Sequence, residues 1–148
     1  RQICTPLLRP ASWVGSRYGG CRWWRTGNCA EQKASVNEAL NIYKDMITKF
    51  PTSADYANFM SARTIQMLDP DQKLGLAKPY YEAIATSIET AGIKSDTDKV
   101  RVKEAYTYLG IYFFKIVSDA DAAKPYSDKL IVLDPENELA KQVLATYE

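Results

Sequence analysis

Residues 105–135 read AYTYLGIYFFKIVSDADAAKPYSDKLIVLDP, and this stretch decides the fold that the sequence predicts. Its apolar side chains recur three and four residues apart, which is the spacing of one face of an α-helix. The polar segment from Asp119 to Asp121 can cap a new helix, and Asp134-Pro135 ends that helix. Two consecutive helices are therefore predicted. The core stripe of the first is Val102, Ala105, Tyr106, Leu109, Phe113 and Ile116, and the second carries Ala123, Tyr126, Leu130 and Leu133.

A hexapeptide in the second helix also occurs earlier in the chain. Residues 123–128 read AKPYSD, and residues 77–82, which lie 46 positions before them, read AKPYYE. Ala39, Ala77 and Ala123 each start a similar apolar pattern, so a unit recurs after 38 and then 46 residues. Self-similarity on this scale is typical of a solenoid, whose units bury their apolar faces only against neighbouring units. The small alanine lets two helices approach closely.

Signals for helices are also present nearer the N-terminus, from residue 31 onward. The segment SVNE at 35–38 has the form of a capping box and predicts a helix start, and Pro51 ends that helix near Lys49. The segment TSAD at 52–55 offers a second cap, and no glycine or proline interrupts residues 54–67. These two segments are therefore predicted to form an antiparallel pair.

Three further helices have clear limits in the sequence. One is predicted from about Leu74 to Gly92, because glycine is a common C-terminal stop. The segment SDTD at 95–98 is a polar start signal for a helix that runs to about Val117. The last helix is predicted to have Asp134 as its cap and Pro135 at its first position. Its buried face is predicted to carry Leu139, Ala140, Val143, Leu144 and Tyr147.

Composition limits the classes of function. The chain has 148 residues, of which 46% are apolar, and this is enough for one domain with a substantial core. It contains no histidine, so the commonest general base and metal ligand is missing. No run approaches the roughly 18 apolar residues of a membrane-spanning helix. We therefore expect a protein that is not an enzyme and that does not insert into a membrane.

Paired aspartates are the remaining candidates for catalysis or metal binding. Each pair falls where a helix boundary is predicted, and aspartate is favoured there because its carboxylate accepts backbone N–H bonds. We therefore interpret the pairs as caps and expect no catalytic residue, no metal ligand and no cofactor. The pairs are Asp69 with Asp71, Asp96 with Asp98, and Asp119 with Asp121.

Residues 1–30 differ in composition from the rest of the chain. They contain five arginines, no acidic residue, and all three cysteines and three tryptophans. Such a basic arm could bind nucleic acid or an anionic membrane. The three cysteines match no zinc spacing, and the segment lacks the continuous apolar stretch of a signal peptide. We favour an irregular basic extension in front of a helical domain of residues 31–148, and we expect no nucleic-acid partner.

Residues 31–148 resemble the tetratricopeptide repeat (TPR) family, in its bacterial type. Residues 105–113, AYTYLGIYF, resemble the first helix of a repeat, and residues 123–135 resemble the second helix with its closing Asp-Pro. Residues 38–51 are similar to the second helix of an earlier repeat, to which Trp23 and Gly27 would add part of a first helix. A middle repeat keeps alanine at 62 and 77, but its loop LDPDQKLG is longer than usual. The resemblance implies an all-α fold, an α-solenoid of about three antiparallel helix pairs with a C-terminal capping helix.

The resemblance also implies a function and a site. Members of the family are non-catalytic scaffolds that bind a peptide or protein segment in a concave groove formed by the first helix of each pair. A partly apolar groove suits an amphipathic helix or an aromatic-bearing peptide. In the alternative interpretation, the chain's own neighbouring helices cover the two apolar positions of the third repeat. The implied groove residues are Phe59, Arg63, Gln66, Thr107, Ile111 and Phe114.

Two functions remain open from the sequence. The first is a protein-interaction scaffold with a protein or peptide partner. The second is a structural subunit that belongs to a larger repeat array or associates with itself as a homodimer, because a short stack of repeats ends in faces that can continue the array. The compartment also stays open, since similar proteins occur in both the bacterial cytoplasm and the periplasm.

Overall fold

The first helix begins earlier than the sequence predicts. In the computed structural model, which describes residues 29–147, α1 spans Cys29–Lys49 and passes straight through the segment at 35–38. The residues just before that segment, EQKA at 31–34, are good helix formers, so continuing the helix costs less than a break at Ser35. The predicted capping box is therefore wrong. The predicted end at Lys49 is confirmed, and Pro51 opens a short 3₁₀ turn.

Five more α-helices follow, and none of residues 29–147 lies in a β-strand. A π-helical turn, Tyr112–Val117, extends α4, and a 3₁₀ turn, Ala145–Tyr147, follows α6. The described range is thus all-helical, as predicted. The helices are α2 (Ala54–Gln66), α3 (Lys78–Ala91), α4 (Asp96–Ile111), α5 (Ala120–Leu133) and α6 (Glu138–Leu144).

The connection between α2 and α3 is longer than predicted. α3 begins at Lys78 rather than near Leu74, because the intervening residues form turns. The buried carboxylate of Asp69 accepts the backbone N–H groups of Leu74 and Leu76, which lie 3.1 and 3.3 Å from its Oδ2. Amides held by that side chain cannot make the bonds of a helix. The loop is thereby fixed beside α4.

Two glycines permit close approaches to α4 and its extension. Gly75, in the loop, has a φ of +63°, and a Cβ there would lie 2.6 Å from the ring of Tyr112. Gly110, in α4, faces α6, where a Cβ would lie 3.1 Å from Cδ2 of Leu139. A side chain at either position would push these elements apart.

Several predicted helix limits are confirmed because a single local group determines them. Gly92 ends α3 with a φ of +75°. The Ser95 hydroxyl accepts the backbone N–H of Asp98 at 3.1 Å and caps α4. The Asp119 carboxylate accepts the N–H of Ala122 at 2.9 Å and caps α5.

The helix that contains α4 ends at Val117, as predicted, but its last part is π-helical. In a π turn, residue i bonds to residue i+5. The residues after the turn therefore no longer lie on the same helix face as the apolar residues before it. Ile116 is consequently 36% exposed, and its predicted place in the core is wrong. Phe113 is half-buried, and the earlier members of the stripe are buried. These earlier members are Val102, Ala105, Tyr106 and Leu109.

The last helix starts later than predicted. Asn137, not Asp134, caps α6, and its Oδ1 accepts the N–H of Ala140 at 3.2 Å. Asp134 instead ends α5, and its carboxylate forms an ion pair with Lys103 of α4, with 2.7 Å between the charged atoms. Tyr147 was expected on the buried face but is 43% exposed. The face that α6 does bury is Leu139, Ala140 and Val143.

Packing follows the order of the chain. Within residues 29–147, the extensive helix contacts join helices that are consecutive in sequence, and α4 also touches α6. Small residues allow these approaches, since six alanines of the described residues are at most 1% exposed. They are Ala57, Ala62, Ala77, Ala105, Ala123 and Ala140. The largest fully buried side chains lie between α3, α4, α5 and α6, and they include Tyr81, Ile84, Leu109, Leu130 and Val143.

Candidate functional site

A cleft of about 520 Å³ opens between the C-terminal end of α2, the following loop, α3 and α4. One face of α4 forms its long wall, because lining residues recur at the helical spacing from residue 100 to 111. The rings of Tyr81 and Tyr108 line it side by side, with 4.6 Å between their centroids. The residues that line this cleft are Gln66, Gln72, Tyr81, Val100, Lys103, Glu104, Thr107, Tyr108 and Ile111.

Three of the six predicted groove residues line the cleft. Gln66 does so from α2, and Thr107 and Ile111 do so from α4. Phe59 and Arg63 lie on the same helix as Gln66 but do not reach the cleft. Phe59 is buried, and the Arg63 guanidinium lies over its ring at 4.4 Å from the centroid.

Phe114, the sixth predicted residue, packs against a small core of α5 and α6 residues. The members of that core are Ala123, Leu139 and Val143. Ile111 also touches this core while it lines the cleft. The interpretation in which neighbouring helices cover these two positions therefore describes Phe114 better than Ile111.

A set of polar side chains, which we call the Arg63 cluster, joins α2, α3 and α4 beside the cleft. Arg63 donates from Nε to Oε1 of Glu104 at 2.9 Å and also donates from Nη2 to Oε2. The hydroxyl of Tyr81 donates to Glu104 Oε1 at 2.9 Å and accepts from Nε2 of Gln66 at 3.1 Å. The four residues Arg63, Gln66, Tyr81 and Glu104 form one connected network across three helices.

The electrostatics of the Arg63 cluster keep its carboxyl group ionised. Burial raises the pKa of Glu104, but the hydrogen bonds from Arg63 and Tyr81 lower it more, so the pKa lies below its ordinary value of 4.5. Burial, followed by the neighbouring Glu104 charge, raises the pKa of Tyr81. Tyr81 is thus a neutral hydrogen-bond donor to the ionised Glu104.

A second cleft of about 320 Å³ lies between the end of α3, α4 and α5. It borders what we call the Lys129 cluster, in which Glu89 accepts from Lys129 Nζ at 2.6 Å and from the Tyr106 hydroxyl at 2.9 Å. The sequence analysis missed this cluster. Its members lie on three helices, and Glu89 is 17 residues from Tyr106 and 40 residues from Lys129. A local sequence pattern cannot link residues that are so far apart in the chain.

Three of the six carboxylates that were weighed as catalytic candidates accept backbone amides. Asp69 holds the loop before α3, Asp98 accepts the N–H of Lys94 at 3.3 Å, and Asp119 caps α5. Among residues 29–147, no three cysteine, aspartate or glutamate side chains come close enough together to hold a metal ion. The helices of this same range include none with the length and apolar content of a membrane span.

No protein-family model, no curated protein and no solved structure matches this chain. The function of the cleft therefore has to follow from the residues that line it.

Proposed function

We propose that this protein is a non-catalytic interaction scaffold of the tetratricopeptide repeat type, which binds a peptide or protein segment along the face that α2 and α4 share. The main support is the cleft on that face. Gln66, Thr107 and Ile111, which the repeat pattern assigns to the groove, come from two separate helices and line this one cleft. Helix-lined grooves of this kind suit peptide recognition.

The order of helix contacts supports the repeat arrangement. In a solenoid each unit packs on its neighbours only, so contacts join elements close in sequence. The extensive contacts of the described helices follow this rule, and the contact of α4 with α6, which skips a helix, is small. Under this proposal α2 and α4 are the first helices of two repeats, α3 and α5 are the second helices, and α6 is the capping helix.

The experiment that tests this function compares two exposed valines. Val100 lies on the cleft wall and is 59% exposed, and Val132 lies on α5 and is 79% exposed. Val100→Glu places a charge in the groove, whereas Val132→Glu places the same charge elsewhere, and neither disturbs the core. In affinity capture from the source cell, we expect the wild type and Val132→Glu to retain the same partner and Val100→Glu to lose it.

This pair of variants is cleaner than alanine substitutions at Phe114 or Ile111. Both of those side chains pack against Leu139 and Val143, so their truncation would destabilise the contact with α6 as well as alter the groove. Equal capture by Val100→Glu and the wild type would reject the groove as the binding surface. Circular dichroism of both glutamate variants checks that the helix content is unchanged.

The self-associating subunit is kept as a second candidate because α1 and the residue that follows it expose large apolar side chains. Ile42 is 62% exposed and Phe50 is 60% exposed. Apolar side chains at such positions can pack against a second copy or a further repeat. Light scattering after size exclusion separates the two candidates. A homodimer that Ile42→Glu converts to a monomer supports self-association, and a wild-type monomer disfavours it.

A further inference from the structure

The side of α1 that points away from α2 is largely uncovered within the part of the chain that the structure describes. The extensive contacts of α1 are with α2 and with the turn that follows α1. Its buried side chains, Val36 and Leu40, lie one turn apart on a single side. Ile42, nearly opposite Leu40, is 62% exposed, and Phe50, directly after α1, is 60% exposed. With the half-buried Met46 between them, they form an apolar ridge at four-residue spacing.

Acidic side chains run beside this ridge. Glu31, Glu38 and Asp45 are exposed and follow one another at seven-residue spacing, so each lies only about 20° around the helix from the one before. They form an acidic line about 21 Å long on the side opposite Leu40. Among the described residues, ion pairing along this line is limited to Asp45 with Lys49, at 3.7 Å, and both side chains are more than two-thirds exposed. Such a pair is weak, so the line keeps its negative charge.

Residues 1–28 match this surface in charge and in polarity. The basic extension predicted from the sequence, with Trp23 and Gly27, falls on these residues, which lie outside the described range. They carry five arginines, no acidic residue and all three tryptophans of the chain. An extended chain advances about 3.3 Å per residue, so about seven residues are enough to run back along the acidic line. Because the segment is joined to the start of α1, its local concentration at this surface is high.

A second copy of the chain fits this surface less well. In a two-fold dimer the same surface meets itself. Antiparallel pairing of two α1 helices would bring Glu38, at the middle of the acidic line, opposite the Glu38 of the other copy. Like charges that meet in this way repel each other and weaken the contact. The arginines of residues 1–28 bring the opposite charge to the same place.

We propose that residues 1–28 fold back over this side of α1, with tryptophan rings against the apolar ridge and arginines beside the acidic line. A tryptophan buries a large apolar area, and a guanidinium binds a carboxylate through two hydrogen bonds. The segment then closes this end of the helical stack against further copies. The proposal goes beyond the proposed function, because α1 does not line the cleft.

Tryptophan fluorescence of the full chain tests this contact. Residues 29–148 contain no tryptophan, so the signal reports only on the N-terminal segment. We expect an emission maximum at shorter wavelength than that of tryptophan in water, and restricted quenching by acrylamide, because packed rings are shielded from solvent. Emission and quenching equal to those of free tryptophan would overturn the proposal.

Two glutamate variants locate the contact. Ile42→Glu interrupts the apolar ridge, and Val132→Glu places the same charge on α5 at a side chain that is also exposed. Ile42→Glu should move the emission to longer wavelength and raise the acrylamide quenching constant, whereas Val132→Glu should change neither. Shielded tryptophans that respond to neither variant would show that the segment packs elsewhere, and this also overturns the proposal. Circular dichroism checks that both variants keep their helix content.

A charge reversal tests the role of the acidic line. Glu38→Lys changes the middle of the line, and Glu136→Lys is its control in the α5–α6 connection, where the side chain is 88% exposed. Glu38→Lys should raise the quenching constant at low salt, and the effect should shrink in about 1 M salt, where the Debye length is about 3 Å. Equal quenching of both variants and the wild type at low salt would overturn the assignment of this segment, since its charge is what selects it.

Light scattering of the same samples distinguishes this occupant from a second copy. A monomer with shielded tryptophans supports the proposal. A dimer that Ile42→Glu dissociates would place a second copy on the surface and overturn it. Affinity capture with Val100→Glu concerns the cleft, so that experiment still decides the proposed function if the contact of residues 1–28 fails.

Discussion

The Arg63 cluster and the Lys129 cluster use the same chemistry on two surfaces of the molecule. In each, a tyrosine hydroxyl and a cation donate to one glutamate, and the two are reciprocal, since Tyr81 of α3 donates to α4 and Tyr106 of α4 donates to α3. They differ in the cation and in exposure. The Glu104 side chain is 29% exposed and receives two guanidinium bonds, whereas the Glu89 side chain is 40% exposed and receives one ammonium bond.

Burial and donor geometry decide how much each ion pair contributes to the stability of the fold. A planar guanidinium binds both carboxylate oxygens at once, and the ring of Phe59 holds it in place from the other side. A lysine ammonium is a flexible point charge, and exposed pairs contribute little. The Arg63 cluster should therefore stabilise the junction of α2, α3 and α4 more than the Lys129 cluster stabilises the junction of α3, α4 and α5.

The largest difference is expected from removal of the two carboxylates. Glu104→Ala leaves the Tyr81 hydroxyl without its acceptor and Arg63 without its partner, so the free energy of unfolding should fall by about 2 kcal/mol. Glu89→Ala leaves the Tyr106 hydroxyl without its acceptor but breaks only one ammonium bond, at a more exposed glutamate, so it should lower the free energy of unfolding by only about 1 kcal/mol. Urea unfolding of both variants measures the difference, and equal losses would contradict the ranking of the clusters.

A smaller difference is expected from exchange of the cations. Arg63→Lys loses the two-point contact and the stacking on Phe59, which should cost about 1 kcal/mol. Lys129→Arg keeps the charge at an exposed site and should change the stability by less than about 0.5 kcal/mol. Thermal unfolding of this pair in the same buffer measures the effect. A larger loss of stability in Lys129→Arg than in Arg63→Lys would show that exposure does not determine which of the two clusters is more stabilising.

The smallest difference is expected in the pH dependence of stability. The pKa of Glu104 is lowered by Arg63 and Tyr81 against the effect of burial, and the hydrogen bond from Lys129 lowers the pKa of Glu89. A carboxylate with a lowered pKa in the folded state contributes stability above its unfolded pKa, and this stability is lost as the pH falls through the folded pKa.

Stability should therefore decline below about pH 4.5 in the wild type and decline less in Glu104→Gln, which has no proton to bind at that site. Glu89→Gln is the matched control and should change the slope less, because Glu89 is more exposed. Urea unfolding at several pH values between neutral and acid measures the slope. A slope in Glu104→Gln as steep as in the wild type would exclude the Arg63 cluster as a source of acid sensitivity.

The helix limits that the sequence predicted correctly share a local cause. Pro51 lacks the N–H that a helix needs, Gly92 adopts a positive φ, and the side chains of Ser95 and Asp119 cap their own helices. Each of these effects acts within one turn of the chain. A sequence pattern is sufficient to place such limits.

Two of the limits that the sequence missed depend on side-chain contacts outside the helix concerned. α3 starts late because Asp69 holds the amides of the loop before it. Asp134 ends α5 and pairs with Lys103, which is 31 residues earlier, and Asn137 caps α6. Only half of the predicted groove residues line the cleft. Phe114 does not, because it packs on α6, and Arg63 does not, because it pairs with Glu104.

The sequence by itself determined that the domain is built from helices and where single residues stop or cap a helix, because hydrogen bonding and backbone conformation act over a few residues. Only the tertiary structure decided which charges are paired. Arg63 and Glu104 are 41 residues apart, and no local pattern in the sequence links them. Which side chains remain free to bind a partner is set by packing across helices, and packing joins residues without regard to their separation in the chain.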